Sequence, residues 1–241
     1  MALPPLISVI VPNRNYSAYL PECLESILNQ TLQDFEIIVS DDASVDESVR
    51  VASRYPKTTV LKSSIQTGPG AARNRALSAS RGVYIAFLDS DDYLPPNSLE
   101  LRLLTLQQSP AVDLVCGATQ VMGGDIITRP FQTSSVLLRR TILEQFGMFD
   151  EAFRHGEDKE LWVRIFGPGP TYPRTDRATF RFIPSVVSYY RKHDDSHMGR
   201  FRAFNRNAKI AHRAARKAAY IAHRDGIDTS RVQLLPLLKC Q

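Results

Sequence analysis

Apolar runs that stop abruptly in polar or acidic residues, with helical spacings between them, constrain the first 95 residues of this chain more than any other feature. Residues 6–11 (Leu-Ile-Ser-Val-Ile-Val) are β-branched and continuously apolar, as a strand buried on both faces of a parallel sheet requires. The same reading applies to 35–40 and 83–88, and a weaker one to 58–62. Between them, 17–29 carries Leu20, Leu24, Ile27 and Leu28 at helical spacing with Ser17 as a cap, and 46–55 and 71–80 read as further helices. Strand and helix alternating through short loops predicts parallel βαβ units and a three-layer α/β sandwich with a mainly parallel sheet. Ligands of such sheets bind beyond the carboxyl ends of the strands. Pro12-Asn13, Asp41-Asp42 and Asp89-Ser90-Asp91 stand there, within reach of one nucleotide.

The last of these endings is the most demanding chemically. Asp89, Asp91 and Asp92 lie within four residues behind the apolar run Tyr84 to Leu88. Carboxylates so close repel one another near a core unless a cation or a dipole compensates them. Hard oxygen ligands suit Mg²⁺ or Mn²⁺ better than zinc, and those ions keep positions open for phosphate oxygens. The alternative is a solvated turn whose Asp, Asn97 or Ser98 caps the helix predicted over 98–108.

The second half is less regular. Strands are predicted over 112–117 and 135–138, a turn at 122–125, and helices over 140–146 and 158–166. Residues 168–177 read as a loop, and 180–190 as a closing strand or two interrupted by Pro184.

With 43% hydrophobic and 23% charged residues the composition is that of a globular protein. No apolar run approaches the ~18 residues needed to span a bilayer, and the first residues lack the pattern of a secretory signal. Cys23, Cys116 and Cys240 are odd in number and far apart, which predicts reduced thiols in a cytoplasmic setting and no zinc site. The net charge of +5 is local: residues 200–224 carry eight Lys or Arg and no acid, leaving 22 basic against 25 acidic side chains elsewhere. Nucleic acid is therefore not an expected partner, since its binders spread positive charge over a main face.

Taken together, these motifs resemble the family 2 glycosyltransferases of the GT-A fold. The resemblance runs through residues 6–198 in order. It rests on Ile7-Ser8-Val9-Ile10-Val11-Pro12, Ser40-Asp41-Asp42-Ala43-Ser44, Gly68 with Ala72-Arg73-Asn74, Asp89-Ser90-Asp91, Gly147-Met148-Phe149-Asp150-Glu151, Gly156-Glu157-Asp158 with Leu161-Trp162, and Tyr190-Arg191-Lys192-His193. Gln66 stands where the family often has Asn. The resemblance implies an inverting, metal-dependent transfer from a nucleoside diphosphate sugar, by default a UDP-sugar, to a glycan or lipid-linked acceptor. It divides the domain into a donor-binding part, 1–95, and a catalytic and acceptor part, 96–198.

Residue by residue, the resemblance places Pro12, Asn13, Asp41 and Asp42 at the nucleotide base, with capping of the following helix the alternative for Asp42. Gly68 and Arg73 would face the donor, Arg73 alternatively forming a surface ion pair. Asp89, with Ser90 beside it, would contact ribose or sugar hydroxyls. Asp91 would bind Mn²⁺ or Mg²⁺ with Asp89 and His193, although a solitary histidine is also an ordinary surface residue. Asp158 is the implied general base and Glu157 the runner-up, both equally suited to the start of a helix. Trp162 would stack beneath an acceptor sugar or pack in the core.

Beyond residue 198, Phe201, Phe204, Ala208, Ala211, Ala215, Ala218 and Ala222 recur every three or four positions, with Arg202, Arg206, Lys209, Arg213 and Arg216 on a separate stripe. Residues 199–241 thus read as a basic amphipathic helical tail, suited to anionic lipid at the inner face of a membrane or to packing on its own domain. Two rival functions compete with transfer. One is a sugar-nucleotide-binding module without catalysis, which the acids at 157 and 158 disfavour. The other is a dinucleotide-dependent oxidoreductase, since Gly68-Pro69-Gly70 before a helix imitates a phosphate-binding loop.

Overall fold

The computed structural model describes residues 3–128, 130–167 and 177–193. The expected tail at 199–241, the domain limit at 198 and most of the 168–177 loop lie outside the described residues.

The first half follows the alternation of the sequence: β1 (Ile7–Asn13), α1 (Leu20–Leu28), β2 (Phe35–Asp42), α2 (Ser48–Ala52), β3 (Thr58–Ser63), α3 (Pro69–Ala79) and β4 (Tyr84–Phe87). The second half contains α4 (Ser98–Gln107), β5 (Leu114–Val121), β6 (Ile126–Ile127), a single 3-10 turn over Thr133–Ser135, β7 (Val136–Arg139), α5 (Arg140–Phe146), α6 (Glu157–Phe166) and β8 (Phe180–Tyr190). One sheet of eight strands has the order β3-β2-β1-β4-β7-β5-β6, with β8 running along β5. The β1, β2, β3 and β4 pairs are parallel, whereas β7 lies antiparallel between β4 and β5. β8 is parallel to β5, so the carboxyl ends of β1, β2, β4, β5 and β8 share one edge.

Alternate strand residues sort into two cores, as a period of two demands. Ile7, Val9, Val11, Ile37, Val39 and Ala86 pack beneath Leu20, Leu24 and Ile27 of α1 and Leu99, Leu103 and Leu106 of α4. Ile10, Ile38, Ile85 and Phe87 face the other way, against Ala76 and Leu77 of α3, Ile142 of α5 and Leu161 of α6. The three layers are therefore α1, α2 and α4 on one side and α3, α5 and α6 on the other. Gly82, ahead of β4, approaches β1 so closely that a Cβ there would lie 2.4 Å from the Ser8 amide nitrogen. Its own N–H donates to Ser8 Oγ at 2.8 Å.

Several expectations need correction. Ser17 does not cap α1: its amide donates to Asp46 Oδ2 at 2.9 Å, and the helix starts at Leu20, where Pro21 suits the first turn. Asp41 and Asp42 belong to β2 itself rather than following it. The turn at 122–125 closes a hairpin with β6 that sequence reading omits. β8 is one strand, because Pro184 falls where its register with β5 shifts between Ile183 and Val186 and no ladder donor is needed. Among the described residues no helix is long and apolar enough to cross a membrane. Cys23 and Cys116 are free and buried.

Candidate active site

The carboxyl edge gathers most of the residues singled out above. At the β1 and β2 ends, Asn13 Nδ2 donates to Asp41 Oδ1 at 3.0 Å and to Ser44 Oγ at 3.3 Å, and Ser44 N donates to Asp41 Oδ2 at 2.9 Å. The Asn13 side-chain oxygen, Oδ1, is buried without a protein partner. Pro12 is buried in β1, paired with Ser40.

Asp42 has a different task. Its Oδ1 accepts from Thr67 N at 2.8 Å and Thr67 Oγ1 at 2.7 Å, and its Oδ2 accepts from Gly68 N at 2.7 Å. Gly68 is the residue before α3 and holds φ at 96°, a backbone region open to glycine. Asp42 therefore caps α3, two elements further along than the capping alternative supposed, and it is only 4% exposed. Because Gly68 N is already bound to a carboxylate, the Gly68-Pro69-Gly70 loop is not an open phosphate cradle, which removes the support for an oxidoreductase.

Arg73, in the second turn of α3, is 4% exposed and lies between two acids. Nη1 donates to Glu157 Oε1 at 2.7 Å and Nη2 to Asp89 Oδ1 at 2.6 Å, and the guanidinium lies 5.3 Å from the Phe149 ring centre. Burial opposes its charge, but Asp89 and Glu157 outweigh burial and raise its pKa. The surface ion pair weighed for this residue is thus a buried one, and its function is to tie the acidic loop after β4 to the start of α6. Asn74 makes a second tie: Nδ2 donates to Phe149 O at 2.8 Å and Glu151 Oε1 at 2.9 Å, while Oδ1 accepts from Phe149 N at 3.0 Å. Sequence reading noticed Arg73 and Asn74 but not what they join.

The acidic loop is fastened from the opposite side. Ser134 Oγ, from the 3-10 turn, donates to Asp92 Oδ2 at 2.7 Å and accepts from Asp89 N at 3.2 Å. The segment after β8 returns over the loop, where Arg191 N donates to Asp92 Oδ1 at 3.1 Å and Arg191 Nε to Asp91 O at 3.1 Å. His193 Nε2 lies 3.0 Å from Asp91 Oδ2, and its ring is packed by Tyr19 and Tyr16 at centroid distances of 4.7 and 5.6 Å. His193 is not a stray surface residue: its side chain is 12% exposed and it meets Asp91 directly. Burial, then repulsion from Asp89, raises the Asp91 pKa, with His193 pulling it back. Burial, Asp91 and Asp89 lift Asp92 well above the usual carboxylate range. Ser90 is buried within the same loop. Ser134 was missed because a serine in a loop carries no distinguishing pattern.

Gly156 adopts φ 72° and ψ 22° to start α6, whose first turn holds Glu157, Asp158 and Glu160. Burial and then Glu157 raise the Asp158 pKa, against an opposing pull from Arg73. Trp162 does not lie beneath a sugar site. It is 4% exposed, stacks with Phe131 at 5.8 Å and sits in the α6-side core, where no ring face is free.

This is an α/β fold that brings the polar ends of β1 and β2, the acidic loop after β4 and the acidic start of α6 together at one sheet edge. Residues 8–167 match the family model Glycosyl transferase family 2, so the chain belongs to that family. It is 29% identical over 187 residues to a chondroitin synthase of Escherichia coli, covering 69% of this chain and 27% of that protein. It is 36% identical over 125 residues to a poly(ribitol-phosphate) beta-glucosyltransferase of Bacillus spizizenii, covering 49% of this chain and 20% of that protein. The chain thus spans well under half the length of these curated relatives. Its fold is that of S. aureus TarS residues 1–349 in complex with UDP-GlcNAc, with TM-score 0.69 and 19% identity over 93% of this chain and 74% of that one.

Proposed function

We propose that the chain transfers a sugar, with inversion, from a nucleoside diphosphate sugar to a hydroxyl of a glycan or lipid-linked acceptor. The single observation that carries this is the buried Arg73, which joins Asp89 of the acidic loop to Glu157, the residue before Asp158. UDP is the favoured nucleotide, a choice supported by the UDP-GlcNAc bound to TarS. The base pocket would be formed by Pro12, Asn13 and Asp41, with the unpaired Asn13 Oδ1 as an acceptor. Relatives named for chondroitin and poly(ribitol-phosphate) favour a polymeric acceptor. Residues 200–224 would meet anionic headgroups at the membrane surface.

The donor set around Asp91 fits Mn²⁺ or Mg²⁺. Asp91 and His193 supply oxygen and imidazole, His193 Nδ1 is a buried polar atom without a protein partner, and the repulsion among the three aspartates favours added positive charge. Among the described residues no three His, Cys, Asp or Glu side chains converge into a cage. Asp91 and His193 would therefore hold the ion with few protein ligands, in the manner of Mg²⁺ sites completed by phosphate and water. Asp89, bound to Arg73, is better placed to orient the donor than to ligate. When bound, the ion supplies charge neutralisation at the departing diphosphate.

Asp158 takes the proton of the attacking hydroxyl. A carboxyl held above its ordinary pKa is a stronger base nearer neutral pH, and only its ionised form accepts a proton. Activity therefore rises with pH through that raised value and is lost below it. The test is turnover of a panel of UDP-, GDP- and dTDP-sugars by wild type and Asp158→Asn, with donor binding followed by calorimetry. The substitution is expected to lower kcat by roughly 10²–10⁴ while donor affinity is retained, and chelator to abolish turnover until Mn²⁺ or Mg²⁺ is returned. Equal turnover by the variant would remove Asp158 as the base, and donor binding without turnover by wild type would leave a binding module.

A further inference from the structure

We infer that a cavity at the carboxyl ends of β5 and β8, beyond the donor cleft, binds a neutral sugar ring of the acceptor, an assignment that rests on the transfer reading above. The cavity is a shallow depression, open to solvent, of about 340 Å³, lined by Tyr93, Tyr189, Gln120, Met122, Gly123 and Gly124, together with Val121. That volume is at the small end for ligand pockets and suits a sugar-sized guest.

Its construction indicates what fits. The Tyr93 and Tyr189 rings are stacked, with centroids 4.6 Å apart and planes inclined by 18°. Tyr93 N donates to Tyr189 O at 3.3 Å and Tyr189 N to Tyr93 O at 2.8 Å, so the aromatic pair is fixed before any ligand arrives. Both tyrosines are half-buried, leaving surface to contact a guest. Opposite them, Gln120 Nε2 donates to Val121 O at 3.0 Å and Gly124 O at 2.7 Å, bracing the hairpin turn. A Cβ on Gly123 would meet nothing within 4 Å, so the turn faces open space. No Asp, Glu, Lys or Arg lines the cavity, which gives a phosphate or carboxylate no counter-charge. An amphipathic ring with an apolar face and a hydroxyl rim matches a wall of aromatic face, thioether and peptide groups.

Position assigns the guest to the acceptor. Tyr93 follows Asp92 directly, and β7 alone separates β4 from β5 in the sheet. One wall of the cavity therefore abuts the acidic loop, and its other wall, at the β5 end, lies about two strand spacings of ~4.8 Å further along the same edge. The nucleotide pocket lies on the other side, at β1 and β2. The cavity thus supplies the acceptor subsite that Trp162 cannot.

The test titrates the intact chain with lactose, maltose and N,N′-diacetylchitobiose by ligand-observed NMR, using uridine and inorganic phosphate as competitors and no nucleotide sugar. At least one disaccharide is expected to bind saturably. Its Kd is expected to rise about tenfold or more in Tyr189→Ala, a loss of the size stacking contacts give, and to stay near wild type in Tyr189→Phe. Met122→Glu charges the cavity mouth at a side chain that is 38% exposed, so it weakens binding even if Tyr189→Ala does not fold. Binding by none of the three sugars, unchanged affinity in Met122→Glu, or displacement of the sugar by uridine would each overturn the assignment. Because no donor is present, failure of transfer with every nucleotide sugar would remove the functional reading without altering this result, and sugar binding absent from an enzyme that turns over its donor would remove only this one.

Discussion

The two halves of the sheet were built by different rules. From β3 to β4 every pairing is parallel and each strand alternates cleanly between the α1 side and the α3 side. From β7 onward the pairings are antiparallel until β8, one strand has two residues, and another changes register partway. The parallel half carries Asn13, Asp41 and the acidic loop after β4; the mixed half supplies Ser134, Glu157, Asp158 and His193. Catalytic geometry then depends on the few side chains that cross from one half to the other, and α3 carries two of them.

Breaking those ties measures how far each half stands alone. Arg73→Ala should have the largest effect, because it leaves the buried Glu157 without its ion partner, while Asp89, whose side chain is 38% exposed, is partly solvated: a loss of about 3–5 kcal/mol in chemical denaturation, with activity falling alongside. If the variant melts like wild type, the halves are held together elsewhere. Asn74→Ala should cost less, about 1–3 kcal/mol, since it strands the Phe149 amide and carbonyl and takes one donor from Glu151, an exposed carboxylate that water can still solvate; the loop at 149–151 should then exchange its amide hydrogens faster. A normal exchange rate there would show that Asn74 is not the anchor.

The smallest effect is expected at the boundary itself. Asp92 has its pKa raised in the folded state, so the folded chain holds a proton that the unfolded chain releases. The sign follows: this carboxyl costs stability progressively as pH rises from its unfolded value through its raised folded value. Asp92→Asn removes that cost, and with chelator present its Tm at neutral pH should rise by about 2–4 °C, the shift that ~1 kcal/mol gives in a domain of this size. A flatter dependence of Tm on pH should accompany it; a lower Tm would mean that the bonds from Ser134 and Arg191 need the carboxylate.

The same contrast separates what could be read from the sequence. β1, β2 and β4 were legible because both faces are buried and β-branched residues run together, and α5 matched its expected bounds because Gly147, at φ 82°, ends it. β6 was not, since two residues have no period to detect. Pro184 was read as a break because its lost amide donor matters only where a ladder bond is due, and the bulge removes that need. At the site, the acids announced themselves by crowding, and His193 by its place in a motif. Arg73 was visible as a charge near a helix start, but its pairing with Glu157 spans 84 residues. Asp42 looked free to meet a base because the loop that saturates it comes 25 residues later. Trp162 was ambiguous for the same reason: only the packing of Phe131 and Phe166 around it decides the matter.

The return of the chain from Tyr190 to His193 has a consequence for how the protein is made. The contacts of Arg191 and His193 reach back 99 to 102 residues to Asp91 and Asp92, and that of Arg191 reaches back 169 residues to Glu22. On the ribosome, the aspartates therefore emerge long before the segment that shields them, and contacts this distant in sequence tend to close late. For that interval the nascent chain carries an uncovered patch of mutually repelling acid, which is covered only when the segment after β8 arrives.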